Sequence, residues 1–309
     1  MTATARRGDR VYRLATGACA ASIPMLLAFI AWVLATAAWP AFARFGAGFL
    51  TTGTWDPVRD AYAVGPALLG TLVTAGLALA VAAPLAVAVA VYSAELAPRV
   101  LRTPLAFLID LLAGIPSVVY GLWGIGVVVP ALRDDVGPFL RGTLHLGGLP
   151  LFAGPSFGPS VLAGAAVLAT MILPFVAAVT REVLLAVPRA QREAAFALGA
   201  TRWETVIDVV LPYARGGVIG AVMLGLGRAL GETIAVALVI GGQHAFASSL
   251  LAPGYTLASL AANEFAEASD ELHVAALMAA AATLFALTLV VNAVARWLVG
   301  RVARRGEAT

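Results

Sequence analysis

Apolar residues fall in long unbroken runs along this chain. They follow neither the i, i+3, i+4 stripe of a surface helix nor the alternation of a half-buried strand. Six runs stand out, at about 16–39, 66–94, 105–130, 160–180, 216–241 and 273–299. Each approaches or exceeds the roughly 20 apolar residues that cross a bilayer as a helix. The pattern predicts an all-α integral membrane protein with six transmembrane helices, because barrel strands are short and alternate. It divides the chain into a tail over 1–15, a membrane domain over 16–300 and a second tail over 301–309. Pro84, Pro116 and Pro174 lie inside predicted spans, where kinks or short breaks are expected. The first run is longer than a signal-peptide core and no small-residue cleavage site follows it, so it reads as a retained helix.

Composition agrees. The chain is 61% hydrophobic and 12% charged, against about 45–50% and about 25% in soluble domains. A single cysteine, Cys19 in the first run, excludes an internal disulfide and reads as a small buried packing residue. No Cys/His spacing suits zinc, and His145, His244 and His273 lie in or beside predicted loops with no catalytic arrangement.

The net charge of +3 does not point to nucleic acid, because it is the placement of charge that carries information. All 20 basic residues are arginine. With the N-terminus inside, fifteen lie in inner segments and only Arg44, Arg59, Arg133 and Arg141 lie in outer ones. The positive-inside rule therefore predicts a multi-pass protein with both termini cytoplasmic. The chain has no lysine, which a Walker A loop requires, so it is not expected to hydrolyse ATP by that route.

The longest inner segment runs from about 181 to 217. Pro188 suits a helix start, Arg189–Leu198 reads as a short helix, and Gly199 suits its end. Thr201 with Glu204 forms a capping-box signature for a second helix, which Leu211-Pro212 is expected to end. A helix–glycine–helix unit beside a membrane suits either a docking surface or a solvated loop. In the fifth run, Arg228 and Glu232 stand one turn apart near its middle and are expected to share a helix face. A charge at that depth costs roughly 2.5–3.5 kcal/mol on insertion scales, so it should face the bundle interior or a wet cavity.

Glu193-Ala194-Ala195, Gly199 and Leu211-Pro212 resemble the EAA loop of ABC importer permeases. The stretches TWDP (54–57), GTLVT (70–74), LLAGIPSVVYGLWG (111–124), ALGATRWET (197–205) and GRALGETIAV (227–236) are similar to the phosphate importer (Pst-type) permeases, the PstC-type branch in particular. The resemblance implies the type I ABC importer permease fold in the bacterial plasma (inner) membrane, with a cytoplasmic coupling helix that docks a separate ATPase. It implies three kinds of partner besides the lipid bilayer: a second permease (PstA-type), two ATPase subunits (PstB-type) and an extracytoplasmic phosphate-binding protein (PstS-type). It implies no cofactor on this chain, with ATP and Mg on the ATPase.

On this reading Arg228 offers its planar fork to phosphate oxygens, and Glu232 holds the arginine or tempers its affinity so that the ion is released. The competing reading is a structural pair. Gly225, Gly227 and Gly231 read as close helix packing. Ser117, just past Pro116, offers a hydroxyl either to a passing oxyanion or to a freed backbone carbonyl. A permease for molybdate or sulfate, or a proton-coupled secondary carrier, remains an alternative.

Overall fold

The computed structural model describes residues 3–143, 146–268 and 270–306; His145 lies outside them. The protein is a bundle of helices with one small hairpin. Helix α1 (Ala3–Phe45) leads to a two-stranded antiparallel hairpin, β1 (Trp55–Asp56) and β2 (Ala61–Tyr62), with Trp55 opposite Tyr62. Then come α2 (Gly65–Val91), α3 (Arg99–Ala113), α4 (Ser117–Trp123), α5 (Val161–Leu185), α6 (Arg189–Ala197), α7 (Leu211–Leu230), α8 (Ile234–Ala237), α9 (Leu257–Glu264) and α10 (Glu271–Gly306). Among the described residues five helices are long and apolar enough to cross a membrane, or up to six if one bent pair counts as a single span.

The central contact is α2 on α5. Ala75, Ala78, Ala82, Ala86 and Ala90 form a ladder along one side of α2, all buried. Small side chains let the helix axes approach closely where no hydrophobic effect drives association. Gly164 of α5 completes the fit, since a Cβ there would stand 3.1 Å from Thr74 Cγ2. Val167, Leu168, Met171 and Ile172 fill the core on the α5 side.

A second cluster gathers Ala38 and Ala41 of α1, Trp55, Tyr62, Leu257 and the Ala276–Ala280 stretch of α10. Only this end of α1 is packed. Before that end, Val11, Ile23, Phe29 and Trp32 are exposed, and Cys19 is exposed too, contrary to the expectation of a buried packing residue. That expectation assumed that α1 would be enclosed along its whole length by its own chain.

Two spans differ from the uniform helices expected. The third run is not one helix: α3 and the helical stretch 117–142 meet at an angle of 88° across Gly114–Pro116. Pro116 disfavours helical geometry at the residue before it, and Tyr120 Oη donates to Leu112 O at 2.8 Å across the bend. Pro84 and Pro174 are accommodated inside continuous helices. The helix after Pro116 also runs on through α- and π-turns as far as Thr143, into a region read as outer loop.

The fifth run is broken as well. Leu211-Pro212 does not end a helix. The chain is helical from Arg202 through a π-turn at Thr205–Val210 and on into α7. Proline lacks an N–H and crowds the carbonyl four residues back, and the wider turn absorbs both defects. The helix stops instead at Leu230, with Gly231 as its cap.

Candidate translocation and coupling sites

The break after Leu230 can be placed in depth. Helix α7 runs antiparallel to α5: a Cβ at Gly217 would strike Val183, and one at Gly225 would strike Val176. The Arg228 guanidinium carbon lies 5.4 Å from the Phe175 ring centroid. Phe175 is about 21 Å along α5 at 1.5 Å per residue, leaving about 15 Å to its other end. Arg228 therefore lies beside the middle part of α5.

Its relation to Glu232 is not as expected. The helix ends between them, so they share no face. Among the described residues no ion pair joins them. Glu232 Oε1 instead accepts the Ala235 N–H at 3.3 Å, at the entrance to α8, and Thr233 Oγ1 donates to Gly231 O at 3.2 Å. Arg228 Nε is buried with no hydrogen-bond partner among the described residues. A buried, charged donor with no acceptor is costly.

Beyond the break, α8 leads to Val239, whose carbonyl accepts the Ser160 N–H at 3.1 Å at the start of α5. Residues 202–240 thus traverse the bundle as a discontinuous helix. Irregular backbone at such depth is tolerated only where protein buries it or it lines a cavity. Helix α4 holds α8 in place. A Cβ at Gly121 would stand 2.7 Å from Leu238 Cδ1 and 2.9 Å from Ala235 Cα, and one at Gly124 would stand 2.7 Å from Val167 and 2.8 Å from Val239. Ser117, half-buried, opens α4 one turn before Tyr120, which shares a core cluster with Ala229 and Leu230. Ser117 thus stands at the start of the helix that packs on α8, and no hydrogen bond joins it to Arg228. Of the three glycines read as packing residues, Gly225 abuts Val176. Gly227 has only Asn292 Oδ1 at 3.9 Å, and Gly231 caps the helix.

The 181–217 segment has the predicted form as far as Glu204. Pro188 precedes α6, and Gly199 closes it at φ +88°, a left-handed conformation that suits glycine. The Thr201–Glu204 capping box is complete. Ala195 is buried, whereas Glu193 and Ala194 are exposed, and apolar Phe196 and Leu198 are 47% and 89% exposed. Phe196 and Leu198 thus leave apolar side chains exposed on a segment that also carries Arg189, Arg192 and Arg202.

A cluster at the opposite end had no sequence signal, because its members are scattered over more than 200 positions. Glu264 of α9 accepts from Trp55 Nε1 at 3.1 Å and lies 3.1 Å from His244 Nε2, while His273 Nε2 is 3.8 Å away. His244 stacks on Trp55, and Tyr62 stacks on His273. Burial pushes the His244 imidazole below its ordinary value, and the Glu264 carboxylate opposes that shift. The TWDP stretch thereby gains a meaning: Trp55 reaches Glu264, and Asp56 caps the 3₁₀ turn that Pro57 begins. GTLVT is explained too. A Cβ at Gly70 would collide with Tyr255 O, and Thr71 Oγ1 accepts the Leu257 N–H at 2.8 Å at the start of α9.

Residues 86–304 match the family of binding-protein-dependent transport system inner membrane components. A phosphate transport system permease protein PstC from Mesorhizobium japonicum is 41% identical over 98% of this chain and 94% of its own length. The chain belongs to the PstC-type permeases of the ABC importers. The PstC protein of Pasteurella multocida is 42% identical over 96% of this chain and 93% of its own.

Solved structures bear on the fold alone. A chain of a bacterial alginate ABC transporter, in complex with a periplasmic protein carrying an alginate pentasaccharide, superposes with TM-score 0.61 at 15% identity, covering 96% of this chain and 97% of that one. A chain of the MetNI methionine ABC transporter gives TM-score 0.55 at 19% identity, over 79% of this chain and 95% of that one. This PstC-type permease therefore has the ABC importer permease fold, with up to six crossings of the membrane.

Proposed function

We propose that this chain is the permease subunit of an ATP-driven importer of inorganic phosphate, and that it forms half of the translocation path beside a PstA-type permease. The observation that carries the reading is Arg228: a guanidinium whose buried Nε has no hydrogen-bond partner among the described residues, near the middle of the bundle, in the last turn before a helix break. Phosphate at neutral pH carries one to two negative charges, and a planar fork matches two of its oxygens. Glu232 caps the next segment, and its carboxylate sits beyond the break from Arg228, where it tempers the field that a passing anion meets. Ser117 contributes a hydroxyl beside the break.

The arginine-rich end faces the cytoplasm and holds both termini. There α6, with Glu193, Ala194, Ala195 and Gly199 and with Leu211-Pro212 behind it, docks one of two PstB-type ATPase subunits, which bind ATP and Mg. A PstS-type binding protein delivers phosphate at the opposite face.

The test is uptake of labelled phosphate by the assembled importer, wild type beside Arg228→Ala at matched expression, with sulfate and molybdate as competitors. Loss of uptake in the variant, with only phosphate competing in the wild type, supports the proposal. Unchanged uptake would remove Arg228 from the path, and competition by molybdate would change the substrate.

A further inference from the structure

Helix α6 is thinly attached to the body of the protein. Ala195 is its one buried residue. Its other anchor is Arg192, which reaches off the helix to Glu95 in the π-turn (Tyr92–Leu96) that ends α2. Arg192 Nη2 lies 2.6 Å from Glu95 Oε1, and Nε lies 3.2 and 3.3 Å from the two carboxylate oxygens. The rest of the guanidinium is spent on backbone: Nη1 donates to Val187 O at 2.6 Å and Nη2 to Leu184 O at 2.8 Å.

The acceptor is itself held. Arg102 of α3 donates to Glu95 O and to Ala97 O, each at 3.0 Å. The two side chains are 17% and 13% exposed, unlike the Arg13–Asp9 pair on the surface, which is 80% and 62% exposed. Exposed pairs hold little, whereas breaking a sequestered one leaves a charge without a partner. Beneath the pair, Ala90, Val91 and Ala94 of the α2 end pack against Leu184, Val187 and Val206.

From this hub α2 runs the length of the bundle. Its alanine ladder lies on α5, and Thr71 at its far end holds the start of α9. We infer that the Glu95–Arg192 pair is the positioning link through which movement of α6 is passed to α2, and thus to the translocation core. The inference rests on the reading of α6 as the ATPase-docking helix. Glu95 lies outside the EAA stretch, and its side chain is largely buried. The role assigned to it is transmission rather than ATPase binding. Arginine is required at 192, because a lysine ammonium cannot span the carboxylate and two carbonyls at once.

The experiment uses the assembled importer in lipid. ATPase activity is measured with and without phosphate-loaded binding protein, and ATPase co-purification is measured separately. The variants are Glu95→Gln, Arg192→Gln, the double variant, and Arg192→Lys as a milder change that keeps the charge. Stimulation of hydrolysis should fall by at least about fivefold in each single variant, the lower end of ordinary coupling. The ATPase should still co-purify, and the double variant should be no worse than either single. Stimulation within about twofold of wild type in Glu95→Gln would overturn the inference, as would fully additive losses in the double variant. Loss of co-purification in Glu95→Gln would also overturn it, by making the pair part of the docking face. Docking itself is checked by disulfide cross-linking from Ala194→Cys to the ATPase. If that cross-link fails in an otherwise wild-type importer, the docking reading falls, whatever Glu95 does.

Discussion

Replacing Gly121 by alanine sets two opposing terms against each other at the joint that fixes the broken span. In a helix interior alanine is favoured over glycine by about 0.5–1 kcal/mol. Against that, the new methyl would stand 2.7 Å from Leu238 Cδ1 and 2.9 Å from Ala235 Cα. Leucine can rotate away, but a backbone carbon cannot without shifting α8. Overpacking of this kind costs about 1–3 kcal/mol. The net expectation is destabilisation by about 1–2 kcal/mol.

Gly126 supplies the control, five residues on in the same helical stretch, where an added Cβ meets nothing within 4 Å. Gly126→Ala should therefore gain the propensity term undiminished. Thermal unfolding of the purified importer should separate the two variants by about 3–6 °C, taking about 2 °C per kcal/mol for a chain of this size. Gly121→Ala should also lower phosphate uptake, since α8 cannot move without moving the break. If Gly121→Ala melts at or above Gly126→Ala, close packing of α4 on α8 does not hold the break and the account of this joint is wrong.

Other outcomes follow from the same structure. Thr71→Val should cost about 1–3 kcal/mol, because it strands the buried Leu257 N–H. Thr36→Val should be nearly silent, since the exposed Thr36 hydroxyl only bonds carbonyls of its own helix; equal melting temperatures for the two would refute this. His244 has its pKa lowered by burial, so its neutral form is favoured in the folded state. The stability it contributes is present above its unfolded value, near 6.5, and is lost as pH falls through the lower folded value. The wild type should accordingly lose melting temperature more steeply than His244→Gln from pH 7.5 to 5, and parallel curves would remove His244 as the cause. Arg228→Ala and Glu232→Ala, measured for stability without phosphate, should be additive to within about 0.5 kcal/mol; a larger coupling would restore the paired reading.

Runs of apolar residues made the spans legible, because length and hydropathy are properties of single segments. The capping box at Thr201 and the glycine stop at Gly199 were legible for the same reason, being set by neighbours in the chain. The break after Leu230 was not. The stretch reads as one mostly apolar run whose glycines suggest packing, and the segment beyond the break packs closely on Gly121 and Gly124, about a hundred positions away. The Arg228–Glu232 spacing therefore suggested a shared face that the break removes. Pro212 misled in the opposite sense, because a π-turn absorbs what usually ends a helix. The Glu264 cluster and the Glu95–Arg192 link join residues 20 to 209 and 97 positions apart, with no local pattern to announce them.

The broken span also bears on how the protein is made. Chains emerge from the ribosome N-terminus first, so α4 and α5 precede residues 211–240 into the bilayer. A lone apolar segment in lipid must bond all its own backbone groups, which favours an unbroken helix. The interruption at Gly231–Thr233 can form only against a surface already present, and α4 and α5 are that surface. Chain order thus ensures that the polar gap opens where protein, rather than lipid, is waiting to receive it. A circular permutant that delivered α7 and α8 first would meet lipid at the moment it needed protein.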